Sequence, residues 1–218
     1  MKDRIEDTDG YAGLYGEVVT EDVYQLRTLQ YVPDVIIDLG ANVGVFSRYA
    51  HELFPNAAIF GVEPHEENID HYKRFCPNHA LYRYAIGEGK LVKRINPENG
   101  AHASYLTGTK PDRFVEIQRV GMPLREFLEL HAGIGKVFVK MDIEGNEVNV
   151  LSDDRELDSI FFHATSFVAE IHFHVFNDKG KLWEFCRELG VKFASAGFTV
   201  HSRDEHNIMF YAHKADRV

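Results

Sequence analysis

The stretch from Val35 to Ser47, VIIDLGANVGVFS, constrains the fold more than any other part of the chain. A short apolar run stops at Asp38. Gly40, Asn42 and Gly44 follow, and an amphipathic pattern then carries Val43, Phe46, Tyr49, Ala50 and Leu53. A brief apolar run bounded by turn residues marks a strand buried on both faces, and such strands belong to parallel sheets. A glycine turn between that strand and a helix opens a βαβ unit.

The pattern recurs along the chain. AAIFGVE reads as a second strand, with Ile69, Tyr72 and Cys76 on the helix after it, and HALYRYAI as a third that ends at Gly87. A short helix, LREFLEL, precedes KVFVKMD, the fourth strand, which runs into IEGNE and a helix reaching Leu151; SFVAEIHF is the fifth. KLWEFCREL sets Leu182, Phe185, Cys186 and Leu189 on one helical face. VKFASAGFTV and HNIMFYAHK then read as two strands with no helix between them, so an otherwise parallel sheet is expected to end on an antiparallel hairpin. Ahead of the first strand, Thr20 is expected to cap a helix whose stripe is Val23, Leu26 and Leu29 and which Pro33 ends. From Glu88 to Arg119, Gly, Pro and Asn exclude a long helix, and a binding loop or flap is expected.

A chain of 218 residues is long enough for one α/β domain with a sizeable core. The expected organisation is a single domain over residues 1–218, with residues 1–32 as a helical segment over the site and residues 88–119 as the loop or flap. A formal net charge of -10 argues against nucleic acid as a partner. Cys76 and Cys186 lie far apart, outside any zinc spacing, and are expected in the core. The start of the chain has no apolar targeting segment and no apolar run approaches about 20 residues. A cytoplasmic protein that binds no membrane is therefore expected.

In open α/β sheets, ligands bind beyond the carboxyl ends of the strands, beside the first βα turn. Glycines there let backbone approach the ligand, and Asn42 tolerates a left-handed conformation. Gly40, Asn42 and Gly44 do not spell the G-x-G-x-x-G of dinucleotide enzymes, which disfavours an NAD-dependent oxidoreductase. Glu63 closes the second strand, where a carboxylate can accept from both hydroxyls of a ribose. With Asp38 as a second acid and no Lys or Arg expected nearby, the charge pattern suits a cationic or neutral nucleoside. S-adenosylmethionine, a sulfonium, fits it.

Three blocks, VIIDLGANVGVFS, FGVEPHEEN and VKMDIEGNE, resemble those of the FkbM family of S-adenosylmethionine-dependent methyltransferases, and YGEVVTEDVY and VAEIHFH are similar as well. The resemblance covers roughly Tyr15 to Phe173. It implies a Rossmann-like class I methyltransferase fold: a seven-stranded, mostly parallel sheet with an antiparallel C-terminal hairpin strand. It also implies methyl transfer to a hydroxyl on a small molecule, sugar or other natural product. Carried over by position, Asp38, Gly40, Asn42 and Gly44 would line the methionine and ribose side and Glu63 the ribose hydroxyls. Pro64 and Ile86 would flank the adenine, and Ser104 in HASYL matches a small segment of the loop.

Positioning an acceptor in line with an activated methyl group is worth about 7–11 kcal/mol, and a general base adds about 10²–10⁴-fold. Asp142, Glu144 and His172 are the catalytic candidates, with His172 as base and Asp142 or Glu144 orienting it; Glu144 as a helix cap is the competing role. His174 and His102 are weaker candidates. Alternation places Glu170 beside His172, so Asp142, Glu144, Glu170 and His172 could instead gather a divalent metal, a possible but less favoured cofactor. The expected partners are a small-molecule or glycan acceptor and, as an option, a second copy of the chain. Alternative readings are an N-methyltransferase and a nucleoside-binding scaffold domain without catalysis.

Overall fold

The computed structural model describes residues 11–95, 115–176, 178–204 and 207–214. Its strands are β1 Val35–Leu39, β2 Ala58–Val62, β3 Ala80–Tyr82, β4 Ala85–Ile86, β5 Lys90–Ile95, β6 Val115–Met122, β7 Val137–Met141, β8 Ser166–Ile171, β9 Phe198–Asp204 and β10 Ile208–Lys214. Seven of them form one sheet in the order β3-β2-β1-β7-β8-β10-β9. Every pairing from β3 to β8 is parallel, and β10 lies antiparallel between β8 and β9. This is the expected Rossmann-like sheet with its reversed hairpin. Strand order reverses between β1 and β7, so the ligand crevice of such a sheet opens beyond Leu39 and Met141.

Period-two alternation divides the core into two layers. Ile37, Leu39, Val137, Val139, Met141, Phe167, Ala169, Ile171, Ile208 and Phe210 face one cluster, shared with the helices α4 Leu124–His131, α5 Glu147–Ser152, α6 Asp154–His163 and α7 Lys179–Ser195. Ile36, Phe138, Val168, Met209 and Tyr211 face the other, shared with α2 Val45–Leu53 and the N-terminal segment. The alternate positions that interrupt this second face are Asp38, Lys140 and Glu170. All three lie toward the crevice end of the sheet, and Asp38 and Lys140 are register partners.

Helix α7 runs on through VKFAS, which the sequence assigned to a strand, and β9 begins only at Phe198. Phe193 is the reason. It extends the stripe of Leu182, Cys186 and Leu189 by one more turn. Its ring meets those of Phe161, Phe167, Phe198 and Phe210 with centroids 4.9–5.4 Å apart. HALYRYAI is likewise two elements, because β4 leaves the main sheet and pairs with β6 in a three-stranded sheet ordered β4-β6-β5. The stretch expected as a loop or flap thus carries strands at both flanks, β5 and β6 in antiparallel register; Ser104 and His102 lie outside the described residues.

No regular helix starts at Thr20. Instead α1 Ala12–Tyr15 leads into a π-helical turn, Gly16–Thr20, and a 3-10 turn follows at Leu26–Thr28. Asp22 and Gln25 take φ of 53° and 58°, which breaks any α-helix between them. The Asp22 carboxylate holds this bend by accepting from the backbone N–H of Leu26 at 3.1 Å and of Arg27 at 3.0 Å. The bend drives Tyr24 inward, 3% exposed, and Tyr211 Oη anchors it by donating to the Val23 carbonyl at 2.6 Å. Cys76 and Cys186 are buried free thiols, as expected. No helix among the described residues is long and apolar enough to cross a membrane.

Candidate active site

The turn after β1 is built from three left-handed residues in five, Gly40 at φ 77°, Asn42 at 48° and Gly44 at 95°. Gly40 cannot be anything larger: a Cβ there would lie 1.7 Å from the Asp142 carbonyl oxygen. The N–H groups of Gly40 and Ala41 both donate to the Val62 carbonyl at 2.9 Å, and Asp142 N–H donates to the Leu39 carbonyl at 3.0 Å. The turn is thereby fastened to the ends of β2 and β7, on either side of the crevice.

Glu63, 4% exposed, sits one residue past β2 and is fixed before any ligand arrives. One carboxylate oxygen accepts from Asn42 N–H at 2.9 Å and the other from His65 N–H at 2.8 Å. A groove beside Glu63 is lined by Pro64, Asn68, Tyr84, Ala85 and Ile86 and by Asn146, Asp142, Ile143 and Glu144. Gly40 and Asn42 line it as well. Asn146 closes one side by donating from Nδ2 to the Ile86 carbonyl at 2.6 Å. Of the residues expected at a cofactor, Gly40, Asn42, Glu63, Pro64 and Ile86 border this groove, as does Asp142.

Asp38 does not border it. The side chain is fully buried, with one oxygen accepting from Ser47 Oγ at 2.7 Å and the other 3.1 Å from Lys140 Nζ. That second oxygen lacks a well-angled hydrogen bond, so the ammonium compensates its charge by proximity alone. Lys140 also donates to the Gly40 carbonyl at 2.7 Å and stands 3.7 Å from Asp142. Burial disfavours its charge, yet Asp38 and then Asp142 outweigh burial and raise its pKa. The expectation of two acids with no basic neighbour is therefore corrected: one acid is spent on a buried lysine. Gly44 belongs to this interior too, its α-carbon facing the Tyr72 ring and Cys76.

At the far end of the crevice a second constellation surrounds His172, which is 6% exposed. Its Nδ1 lies 3.0 Å from Glu147, its Nε2 3.5 Å from Glu144 and 3.8 Å from Asp142. Burial alone would lower the imidazole pKa, but Glu147 above all, then Asp142 and Glu144, raise it well above 6.5. These acids favour the charged form of the imidazole. The nearest of them is Glu147, neither of the two expected to orient it. Glu147 is fully buried and accepts from the N–H groups of Ile143 at 2.8 Å and Gly145 at 2.8 Å, as well as facing His172. The N-cap position of α5 is Asn146, not Glu144; Glu144 takes φ 61°, and its carboxylate lies 3.5 Å from His172.

Glu170 is partly buried, and its Oε1 accepts from Asn207 Nδ2 at 2.6 Å. Burial, then the neighbouring Asp142, push its carboxyl up to about 8. Asp142 accepts from Tyr24 Oη at 3.1 Å, and burial keeps that phenol a neutral donor. Asp142, Glu170 and His172 each bring an oxygen or nitrogen to within 4.8 Å of the others. A cation of either kind, proton or metal, suits that spacing. In the structure the three are engaged by Tyr24, Asn207 and Glu147 respectively. The His174 side chain lies outside what is described. Sequence reasoning missed Lys140, Glu147 and Asn68, and only the DIEGNE spacing of Glu147 from Asp142 carried a hint.

A polar groove with one anchored acid, leading to a cluster where charge can change, suits group transfer from a nucleoside. The relatives agree. The Methyltransferase FkbM domain matches residues 38–198. A curated relative, the methyltransferase sdnD of Sordaria araneosa, is 27% identical over 173 residues, which are 63% of this chain and 66% of that protein. Among solved structures, DesVI of Streptomyces venezuelae superposes with a TM-score of 0.50 at 12% identity, covering 94% of each chain. The fibrillarin pre-rRNA processing protein of Methanococcus jannaschii superposes with 0.51 at 11% identity, covering 91% of this chain and 76% of that one. These two share the fold alone, whereas the domain match spans both the crevice and the His172 cluster: the chain belongs to the FkbM family of methyltransferases.

Proposed function

We propose that the chain uses S-adenosylmethionine to methylate a hydroxyl oxygen of a small molecule or glycan. The observation that carries this reading is Glu63, locked by two backbone N–H groups at the head of a groove with apolar walls. A fixed carboxylate suits a vicinal diol, and Pro64, Ala85 and Ile86 suit a flat ring. Among the described residues no Lys or Arg borders that groove, which disfavours a pyrophosphate. When bound, the cofactor supplies a methyl group already activated by its sulfonium.

The chain's own residues would then hold the acceptor and take its proton. Asp142 and Glu144 border the groove at its far end and can accept hydrogen bonds from hydroxyls. His172, whose charged form its acid neighbours favour, orients those carboxylates. Asp142 and Glu144 border the groove and are the carboxylates placed to take the acceptor's proton, whereas Glu170, pushed up to about 8, holds its own proton at neutral pH. With Asp142, Glu170 and His172 already engaged by protein groups, the reaction is proposed to need no divalent metal; activity abolished by EDTA and restored by Mg²⁺ would overturn that clause.

Calorimetry with S-adenosylhomocysteine tests the cofactor, and a screen of hydroxylated sugars and metabolites for S-adenosylhomocysteine release tests the reaction. Micromolar binding with release only in the presence of hydroxyl acceptors supports the proposal. Release with amines alone would make this an N-methyltransferase. Binding with no turnover on any acceptor would favour a nucleoside-binding scaffold.

A further inference from the structure

Asn68 stands on the first turn of α3, Glu66–Phe75, and is 3% exposed. The neighbours that share its buried side of the helix, Ile69 and Tyr72, pack as core residues. An amide there is costly without partners, because a buried carbonyl left unsatisfied loses about 1–3 kcal/mol. Asn68 Oδ1 nevertheless accepts no hydrogen bond from the described residues. The groove's other polar side chains near it are engaged. Glu63 holds two backbone N–H groups, and Asn146 donates to Ile86 while accepting from Asn149. Asn68 is thus an unsatisfied acceptor beside Pro64, Tyr84, Ala85 and Ile86, on the wall of the ligand groove.

Native structures rarely leave such an oxygen without a partner, so the missing donor is to be sought in the ligand. The groove fixes the donor's chemistry. Apolar residues on the walls suit the faces of a planar ring, and the anchored carboxylate of Glu63 assigns the ribose to the other end. What Asn68 then meets is a ring edge that presents an N–H. Adenine offers its 6-amino group with a ring nitrogen beside it, the pair that an asparagine amide recognises in nucleic acids. We infer that Asn68 reads the amino edge of the cofactor's adenine, with the 6-amino group donating to Asn68 Oδ1. The inference rests on the reading of this groove as an S-adenosylmethionine site and makes Asn68 its base-selecting residue.

The test compares S-adenosylhomocysteine with its analogue carrying hydrogen in place of the 6-amino group, on the wild-type chain and on Asn68→Leu. The wild type is expected to bind the analogue about 10–100-fold more weakly, the equivalent of one buried hydrogen bond. In Asn68→Leu the two ligands should bind alike, both near the wild-type affinity for the analogue. The Asn68 side-chain amide resonances of the wild type supply a readout that needs no variant, since they should shift with S-adenosylhomocysteine and much less with the analogue. Equal wild-type affinities, or a penalty that survives in Asn68→Leu, would overturn the assignment. If the wild type binds neither compound, the cofactor reading itself has failed, and Asn68 falls with it.

Discussion

The two ends of the crevice are held in opposite ways. At the end proposed for the nucleoside, one acid, Glu63, is tied to neutral backbone N–H groups beside Pro64, Ala85 and Ile86. At the end proposed for catalysis, Asp142, Glu144, Glu147 and Glu170 crowd around His172, with Lys140 beside Asp38. The first arrangement has a fixed charge and a fixed geometry, which is what binding the same ligand at every turnover requires. The second is compensated charge by charge, so its protonation can change when an ion enters or leaves. If binding and chemistry are separated in this way, substitutions should be able to damage either end alone, except where the two share a strut.

That shared strut is Gly40. Gly40→Ala places a Cβ against the Asp142 carbonyl and imposes a side chain at φ 77°. Both ends should fail together, with a stability loss above about 4 kcal/mol, the range of a backbone clash in a core; denaturant unfolding or loss of soluble protein reads it. Lys140→Met comes next. It leaves the Asp38 carboxyl fully buried with Ser47 Oγ as the donor that remains, and removing one member of a buried pair costs about 3–5 kcal/mol. A urea midpoint unchanged by Lys140→Met would show that the Asp38–Lys140 contact does not hold the fold.

Two milder substitutions should separate the ends. Glu63→Gln keeps the shape but forces an NH₂ toward either Asn42 N–H or His65 N–H. S-adenosylhomocysteine binding is expected to weaken about 10-fold or more, since a charge-assisted hydrogen bond is worth about 1.5–3 kcal/mol. His172→Ala should cut turnover at least about tenfold, the lower part of what acid–base groups contribute, while cofactor binding survives. If His172→Ala instead abolishes cofactor binding, the two ends are coupled and the contrast between them is lost.

How legible each end was in the sequence follows from where its contacts come from. Gly40, Asn42 and Glu63 sit at strand ends where the chain itself must turn, so local pattern identified them. The Asp38–Lys140 pair joins residues that are neighbours only through the register of β1 and β7, and no local pattern predicts a register. Glu147 resembles any acid at a helix start, and its partner His172 arrives from another strand. The sheet was readable because buried parallel strands write themselves as apolar runs. The N-terminal segment was not, because Asp22 outcompetes the helical hydrogen bonds that Val23, Leu26 and Leu29 seemed to promise. The end of α7 was missed because β-favouring residues in VKFAS are overruled by the packing of Phe193.

The pH dependence of stability probes the His172 end alone. Glu170 titrates near 8 when folded but near 4.3 in an unfolded chain. Between those values the folded protein binds more protons than the unfolded one, so stability must fall as pH rises from about 4.5 to 8. His172 adds a slope of the same sign at higher pH: its raised pKa gives stability that is complete below about 6.5 and is lost as pH climbs through the folded value. Glu170→Gln removes the first contribution and leaves most of the second, because Glu147 stays in place. The variant should therefore match the wild type near pH 4.5 and exceed it at pH 9, by at least about 2 °C in Tm for a chain of this size. Parallel melting curves for the two proteins across that range would mean that Glu170 ionises normally. Glu170 would then be a further carboxylate able to take a proton, beside Asp142 and Glu144.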